Sequence, residues 1–149
     1  MRKQVEERTV REVMTPTPVA VRPSTTVGEL KALFEAHDFN AFPVVDEAGA
    51  LCGMVSKLDF LRMFRPARFR WLPDLRALWA ERVGDIMSAG LVAVEPGDPV
   101  VVAVDLMVET KLRSLPVVER RGGKPVLVGI VSRKDLLRCL TIEEDRGHA

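Results

Sequence analysis

The sequence is poor in residues that do covalent or metal chemistry. It has two cysteines, Cys52 and Cys139, and two histidines, His37 and His148. Neither cysteine has a neighbour at metal-ligand spacing, and one pair makes no disulfide framework, so both are expected as reduced, mostly buried thiols. His37 is expected at a helix end or on the surface, and His148 in a polar tail that frays. A P-loop, a G-x-G-x-x-G turn, an H-E-x-x-H helix and a nucleophile elbow are all missing. With so little acid–base and nucleophilic equipment, the chain is expected to be no enzyme and to carry no metal and no obligatory cofactor. Charge of one sign is lacking too: 22 Lys and Arg face 21 Asp and Glu, a net of +1. That speaks against nucleic acid as the main partner, because binding a phosphate backbone needs a basic surplus. No apolar run approaches the roughly 18 residues of a membrane span. Residues 1–7 lack the apolar stretch of a signal peptide. A cytoplasmic, soluble chain is expected, with neither nucleic acid nor membrane as its partner.

What is present is repetition. Val13-Met14-Thr15 returns as Ile86-Met87-Ser88, an offset of 87 − 14 = 73. The same offset relates Val19-Ala20-Val21 to Val92-Ala93-Val94, Pro23 to Pro96, and Phe42-Pro43-Val44-Val45-Asp46 to Leu115-Pro116-Val117-Val118-Glu119. Gly53-Met54-Val55-Ser56-Lys57-Leu58-Asp59 then matches Gly129-Ile130-Val131-Ser132-Arg133-Lys134-Asp135 at 129 − 53 = 76. The three extra residues fall in Arg120-Arg121-Gly122-Gly123-Lys124-Pro125, a polar, Gly-rich stretch expected of a hairpin tip. An ordered alignment broken only at a turn signifies an internal duplication.

Reading each copy twice gives the elements. Thr26 and Glu29 predict a capping box for a helix whose stripe is Val27, Leu30, Leu33 and Phe34. In copy two, Asp98-Pro99 predicts a cap and helix start. Val100 to Val104 reads as strand by propensity, but equivalence to copy one makes it a helix with Val100, Ala103 and Met107 inward. Strands are expected at Phe42 to Val45 and Leu51 to Val55, and at Leu115 to Val118 and Val126 to Val131. A last helix starts at Ser56 or Ser132 and is expected to bury Phe60-Leu61 or Leu136-Leu137. Each copy is therefore strand, helix, strand, strand, helix. A unit of about 55 residues buries too little surface to be secure alone. The two are expected to pack about a pseudo-two-fold axis with equivalent residues facing one cleft.

The chemistry-bearing string is Gly-x-Val-Ser-x-x-Asp. Its structural use is helix capping, with the Ser hydroxyl accepting a backbone N–H and the Asp reaching back. Its functional use starts from the same geometry: a helix N-terminus suits phosphate, and an Asp one turn in accepts from a ribose diol. Gly53 and Gly129 are expected to let a ligand approach the backbone, and Met54 and Ile130 to offer an apolar face to a base. The whole string occurs at the same place in both copies, which capping alone does not require.

In these segments the chain resembles a tandem pair of cystathionine-β-synthase (CBS) domains, a Bateman module. The match covers residues 10–61 and 83–140. The resemblance implies an α+β fold of two β-α-β-β-α repeats, often dimerising into a disc, here a homodimer. It implies clefts between the repeats for adenosine ligands: AMP, ADP, ATP or S-adenosylmethionine, less often NAD or cyclic di-AMP. Carried over, Asp59 and Asp135 hold ribose hydroxyls, Ser56 and Ser132 contact phosphate, and Met54 and Ile130 lie against adenine. Thr15, Thr17 and Val19, and in copy two Ser88 and Val92, belong to the segments that close over the base. Asn40 and Arg113 face the cleft. Arg133 and Lys134, against Lys57 and Leu58, make the Asp135 site the expected seat of an anionic nucleotide.

The connector, 62–82, departs from the family. Arg62, Arg65, Arg68, Arg70, Arg76 and Arg82 interleave with Phe64, Phe69, Trp71 and Trp79, and Leu72, Leu75 and Trp79 fit one helical face. It reads as a helix packing Trp79 on its own domain, as a protein interface, or, least favoured, as a surface for nucleic acid or an anionic membrane. The terminal segments are 1–9 and 141–149. Two functions follow: a regulatory sensor of an adenosine ligand that signals to a client protein in trans, or a non-catalytic interaction module acting through the connector.

Overall fold

A computed structural model of the protein describes residues 7–65 and 75–146. Arg68, Phe69, Arg70, Trp71 and Leu72 of the connector lie outside the described residues. The elements run α1 (Val10–Val13), β1 (Thr15–Pro16), α2 (Val27–Ala36), β2 (Ala41–Val45), β3 (Leu51–Ser56) and α3 (Lys57–Arg62). They continue as α4 (Leu75–Trp79), α5 (Val83–Ile86), α6 (Val100–Thr110), β4 (Ser114–Arg121), β5 (Lys124–Ser132) and α7 (Arg133–Arg146). β2 pairs with β3, and the three-stranded sheet has the order β1-β5-β4, all antiparallel. The fold is α+β, with two copies of helix, hairpin, helix. The first strand of each copy is reduced to one parallel bridge, Val21 to Val44 and Val94 to Val117.

Local chemistry explains the elements. Thr26 accepts the Glu29 N–H at 3.1 Å and caps α2. α6 forms despite its valines because Val100, Ala103 and Met107 fall on one buried stripe, and burial outweighs propensity. Its start differs from expectation. Asp98 accepts the Glu95 N–H at 2.8 Å and closes the preceding turn, leaving Pro99 as N-cap with no side-chain bond. The β4–β5 hairpin tip carries Gly122 at φ 59° and Gly123 at φ 78°, left-handed values that suit a two-residue hairpin turn. Phe60 is partly buried and Leu136 buried, but Leu61 is 62% and Leu137 61% exposed. The expectation that both residues of each pair face inward is corrected: adjacent helical positions lie about 100° apart, so one points out.

Two compact units result, and neither is one repeat. Unit 1 joins the residues up to Pro18 to those from Val92 onward, and unit 2 is Val19–Leu91. The segment leading into repeat 1 has crossed to repeat 2, and the leader of repeat 2 lies on repeat 1. Val10 and Val83 are equivalent residues, each fully buried. Val10 sits in the core of α6, β4, β5 and α7 with Val100, Leu115 and Val131. Val83 sits with Leu30, Phe42 and Val55. The hydrogen bonds repeat the swap. The Val10 N–H donates to Asp98 O at 2.8 Å and Val83 to Thr25 O at 2.8 Å; Arg11 donates to Pro96 O and Gly84 to Pro23 O, both at 2.9 Å. Full burial of one such valine stabilises by about 1.5–3 kcal/mol, enough to pin a four-residue helix with marginal stability of its own.

In unit 2, α4 packs on α2, and Trp79 lies stacked on Phe60, centroids 6.0 Å apart and planes at 20°. Leu78, Val27 and Met63 close that cluster. Among the described residues, the connector therefore turns its aromatic side onto its own unit.

Candidate ligand site

Each strand–helix junction holds its Asp in the same way. Ser56 ends β3 and caps α3: its Oγ accepts the Asp59 N–H at 3.1 Å, and Asp59 Oδ2 accepts the Ser56 N–H at 2.8 Å. Ser132 and Asp135 repeat this at 3.2 and 2.8 Å. In both, the Ser hydroxyl also donates to Oδ2 at 3.0 Å. The capping box is thus complete, and Asp59 and Asp135 are the buried polar residues among the described ones, at 9% and 7% exposure. A buried carboxylate survives only when its oxygens are hydrogen-bonded. The second oxygen is met by an arginine one turn on: Arg62 Nη1 to Asp59 Oδ1 at 3.2 Å, and Arg138 Nη2 to Asp135 Oδ1 at 2.5 Å.

The swapped leaders complete the surroundings. In unit 1, Thr15 pairs with Ile130 and Pro16 with Gly129. In unit 2, Ser88 and Met54 exchange backbone hydrogen bonds at 2.8 and 3.0 Å. Each seat therefore takes its strand, Ser and Asp from one repeat and its Thr or Ser leader from the other. This corrects the expectation for the glycines. A Cβ on Gly53 would stand 2.5 Å from Ser88 O and 3.1 Å from Met87 Sδ; one on Gly129 would stand 2.6 Å from Met14 Sδ and 3.1 Å from Thr15 O. The space that glycine leaves is filled by the leader and its methionine.

The remaining expected residues divide between the units. Unit 1 brings together Thr15, Thr17, Ile130, Ser132, Lys134 and Asp135, and also contains Val92 and Arg113. Unit 2 brings together Met54, Ser56, Asp59 and Ser88, and contains Val19 and Asn40. Thr17 has φ 50°, an uncommon value for a residue with a β-carbon, just after β1. Asn40 and Arg113 serve through their carbonyls, which accept the Lys57 N–H at 2.9 Å and the Arg133 N–H at 3.1 Å and so help cap the helices.

Arg133 departs from its expected role. Its Nε donates to Leu112 O at 3.2 Å and its Nη2 to Lys111 O at 2.8 Å, so the guanidinium clamps the end of α6. Its counterpart Lys57 is turned to the Phe34 ring, 6.0 Å from the centroid. Lys134 is exposed beside Asp135, where unit 2 has the exposed Leu58. A groove of about 640 Å³ lined by Ala20, Arg22, Thr25, Glu29, Ala32 and Ala36, among others, contains none of the expected site residues. Among the described residues no cluster of His, Cys, Asp or Glu is arranged to hold a metal, and no helix is long and apolar enough to cross a membrane.

The repeated junction and hairpin agree with a family model described as the CBS domain, which matches residues 10–65 and 83–142. The chain belongs to the CBS domain family. It is 32% identical over 141 residues to the CBS domain-containing protein YhcV of Bacillus subtilis, spanning 94% of this chain and 91% of YhcV. It is 31% identical over 138 residues to the chloroplastic CBS domain-containing protein CBSX1 of Arabidopsis thaliana, covering 80% of this chain and 57% of that relative. The chain thus spans nearly all of one relative and little more than half of the other. A crystal structure of CBSX2 in complex with AMP matches with TM-score 0.74 and 31% identity, over 93% of this chain and 98% of that one.

Two features of the CBS seats were missed from sequence. Asp-x-Leu-Arg follows the Ser in both repeats, Asp59-Phe60-Leu61-Arg62 and Asp135-Leu136-Leu137-Arg138. An acid and a base three apart on a helix are neighbours, so that signal was readable. The packing of Met14 and Met87 on the glycines was not, because it depends on which repeat each leader joins.

Proposed function

We propose that the chain is a non-catalytic regulatory module that binds an adenosine-containing ligand, AMP, ADP, ATP or S-adenosylmethionine, and passes its occupancy to a client protein in trans, as a homodimer in the cytoplasm. One observation carries the reading. A buried carboxylate, held by a capping box beside a leader strand from the other repeat, occurs twice in a chain 31% identical to a protein crystallised with AMP. In unit 1, Asp135 accepts from the ribose, Ile130 lies against the base, Ser132 and Lys134 face the phosphate, and Thr15 and Thr17 close over the ligand. In unit 2, Asp59, Met54, Ser56 and Ser88 take the same parts. The extra cation Lys134 favours the Asp135 seat for an anionic ligand, Arg133 being occupied on α6. The ligand is regulatory rather than an obligatory cofactor.

The test is a thermal-shift panel of AMP, ADP, ATP and S-adenosylmethionine. A ligand at 100 times its Kd adds about 2.7 kcal/mol of stability, a readily measured rise in Tm. Asp135→Ala should erase more of that rise than Asp59→Ala. No rise with any adenosine compound defeats the sensor reading, and the opposite ranking of the two variants defeats the site preference.

A further inference from the structure

The ion pair at each buried Asp is unequal. The Asp135 side chain is 6% exposed, whereas that of Arg138 is 71% exposed. A guanidinium has five N–H donors, and the bond to Oδ1 uses one of them. The carboxylate is nearly saturated in a complementary way. Oδ2 accepts two hydrogen bonds from Ser132, and Oδ1 accepts one from Arg138. With about four acceptor positions on a carboxylate, one remains, on the oxygen beside the arginine. A hydroxyl group binding there comes to rest next to the arginine's spare donors. Lys134 stands four residues before Arg138 on the same helix, and i,i+4 residues share a face. Arg133, the cation the sequence favoured, is clamped to the carbonyls of Lys111 and Leu112.

We propose that Arg138 is the residue of the Asp135 seat that reads the charge of the ligand: Ser132 already holds the carboxylate through two hydrogen bonds, and Arg138 directs its remaining donors to an anionic group on the same nucleoside. This rests on the adenosine-sensor reading and deepens it, making the preferred ligand of unit 1 a nucleoside phosphate rather than an uncharged nucleoside. An arginine suits the task because its fork serves a carboxylate and a phosphate oxygen at once, which a lysine does poorly. In unit 2, Arg62 makes the same pair at 3.2 Å, but Leu58 replaces Lys134, so one exposed cation stands where unit 1 has two.

Titration calorimetry with AMP and with adenosine, on the full chain and on Arg138→Gln and Arg138→Lys, tests this. The unsubstituted chain should bind AMP about tenfold or more tighter than adenosine, in line with a charge-assisted bond. Arg138→Gln should lose that advantage while binding adenosine within about twofold of the parent, and Arg138→Lys should fall between. Melting curves of both variants establish that they fold, and Arg138→Lys keeps a cation beside Asp135 if Arg138→Gln does not. Equal loss of AMP and adenosine affinity overturns the proposal, because the arginine then acts only through Asp135. So does a gain for both ligands, which would make it a latch competing with the ribose. If the unsubstituted chain binds neither ligand, the role of Arg138 fails, and the sensor reading fails with it when ADP, ATP and S-adenosylmethionine give no thermal shift either. Binding that loses both ligands equally leaves the sensor standing and removes only the role of Arg138.

Discussion

Phe34, His37, Phe39, Phe42, Phe60 and Phe64 of repeat 1 stand where repeat 2 has Met107, Thr110, Leu112, Leu115, Leu136 and Leu140. In unit 2 these rings form a continuous cluster. His37 stacks on Phe39 at 5.1 Å, Phe34 and Phe39 meet Phe42 at 5.0 and 5.7 Å, and Phe60 leads to Phe64 and Trp79. Unit 1 fills the same frame with aliphatic side chains, its core being Val10, Val94, Val100, Leu115, Val117 and Val131 among others. The capping boxes agree to within 0.1 Å in the compared bonds. The seat is thus independent of what fills the core beneath it, and the aromatic filling gives repeat 1 a flat surface on which the connector helix can stack.

The largest effect that separates the units is expected at the hub of the aromatic cluster. Phe42→Ala and Leu115→Ala both empty fully buried positions. Phe42 contacts three rings, so its loss should cost about 4 kcal/mol against about 3 kcal/mol for Leu115, read from urea denaturation. Equal costs would mean that the cluster adds nothing beyond volume. A smaller contrast is expected at the glycines. Gly53→Ala meets the Ser88 carbonyl, which is backbone, whereas Gly129→Ala first meets the end of the Met14 side chain. The former should cost about 3 kcal/mol and the latter about 1–2 kcal/mol. A reversed order would indicate that Met14 is the more rigid wedge.

The smallest effect concerns Cys52, which stands where repeat 2 has Val128. Burial first, and then the Asp46 carboxylate, raise its pKa above the ordinary 9.0. A raised thiol pKa contributes stability that is present below the ordinary value and lost as pH rises through the raised one. Cys52→Val should therefore leave neutral-pH stability nearly unchanged and make the alkaline limb of the stability profile shallower. Iodoacetamide should modify Cys52 slowly at pH 8 and faster only in more alkaline solution. Rapid modification at pH 8 would remove this distinction between the repeats.

Much of this was legible before any coordinates. The 73- and 76-residue offsets located α2, α3, α6, α7 and both hairpins but not the four-residue helices α1 and α5, and Ser-x-x-Asp announced the two capping boxes that now hold Asp59 and Asp135. The valine-rich start of α6 was read as helix only because its counterpart Val27 to Phe34 has an evident helical period. Leu61, Leu137 and Asp98 were misplaced because each choice turned on local geometry that a repeat alignment does not encode: a 100° step around a helix, or which of two N–H groups a carboxylate meets.

The amino-acid order specified a duplication, its elements and the chemistry of each junction, because hydrophobic period, turn glycines and caps act over a few residues. Only the tertiary structure decided partnership. Val10 and Val83 are equivalent in sequence, and either could in principle bury itself on its own repeat or on the other. The crossed arrangement places Met14 on Gly129 and Met87 on Gly53. It also means that each candidate seat is assembled from both repeats. That choice depends on chain closure and packing across separations from 87 − 53 = 34 residues, Met87 to Gly53, to 129 − 14 = 115, Met14 to Gly129, distances at which no local pattern acts.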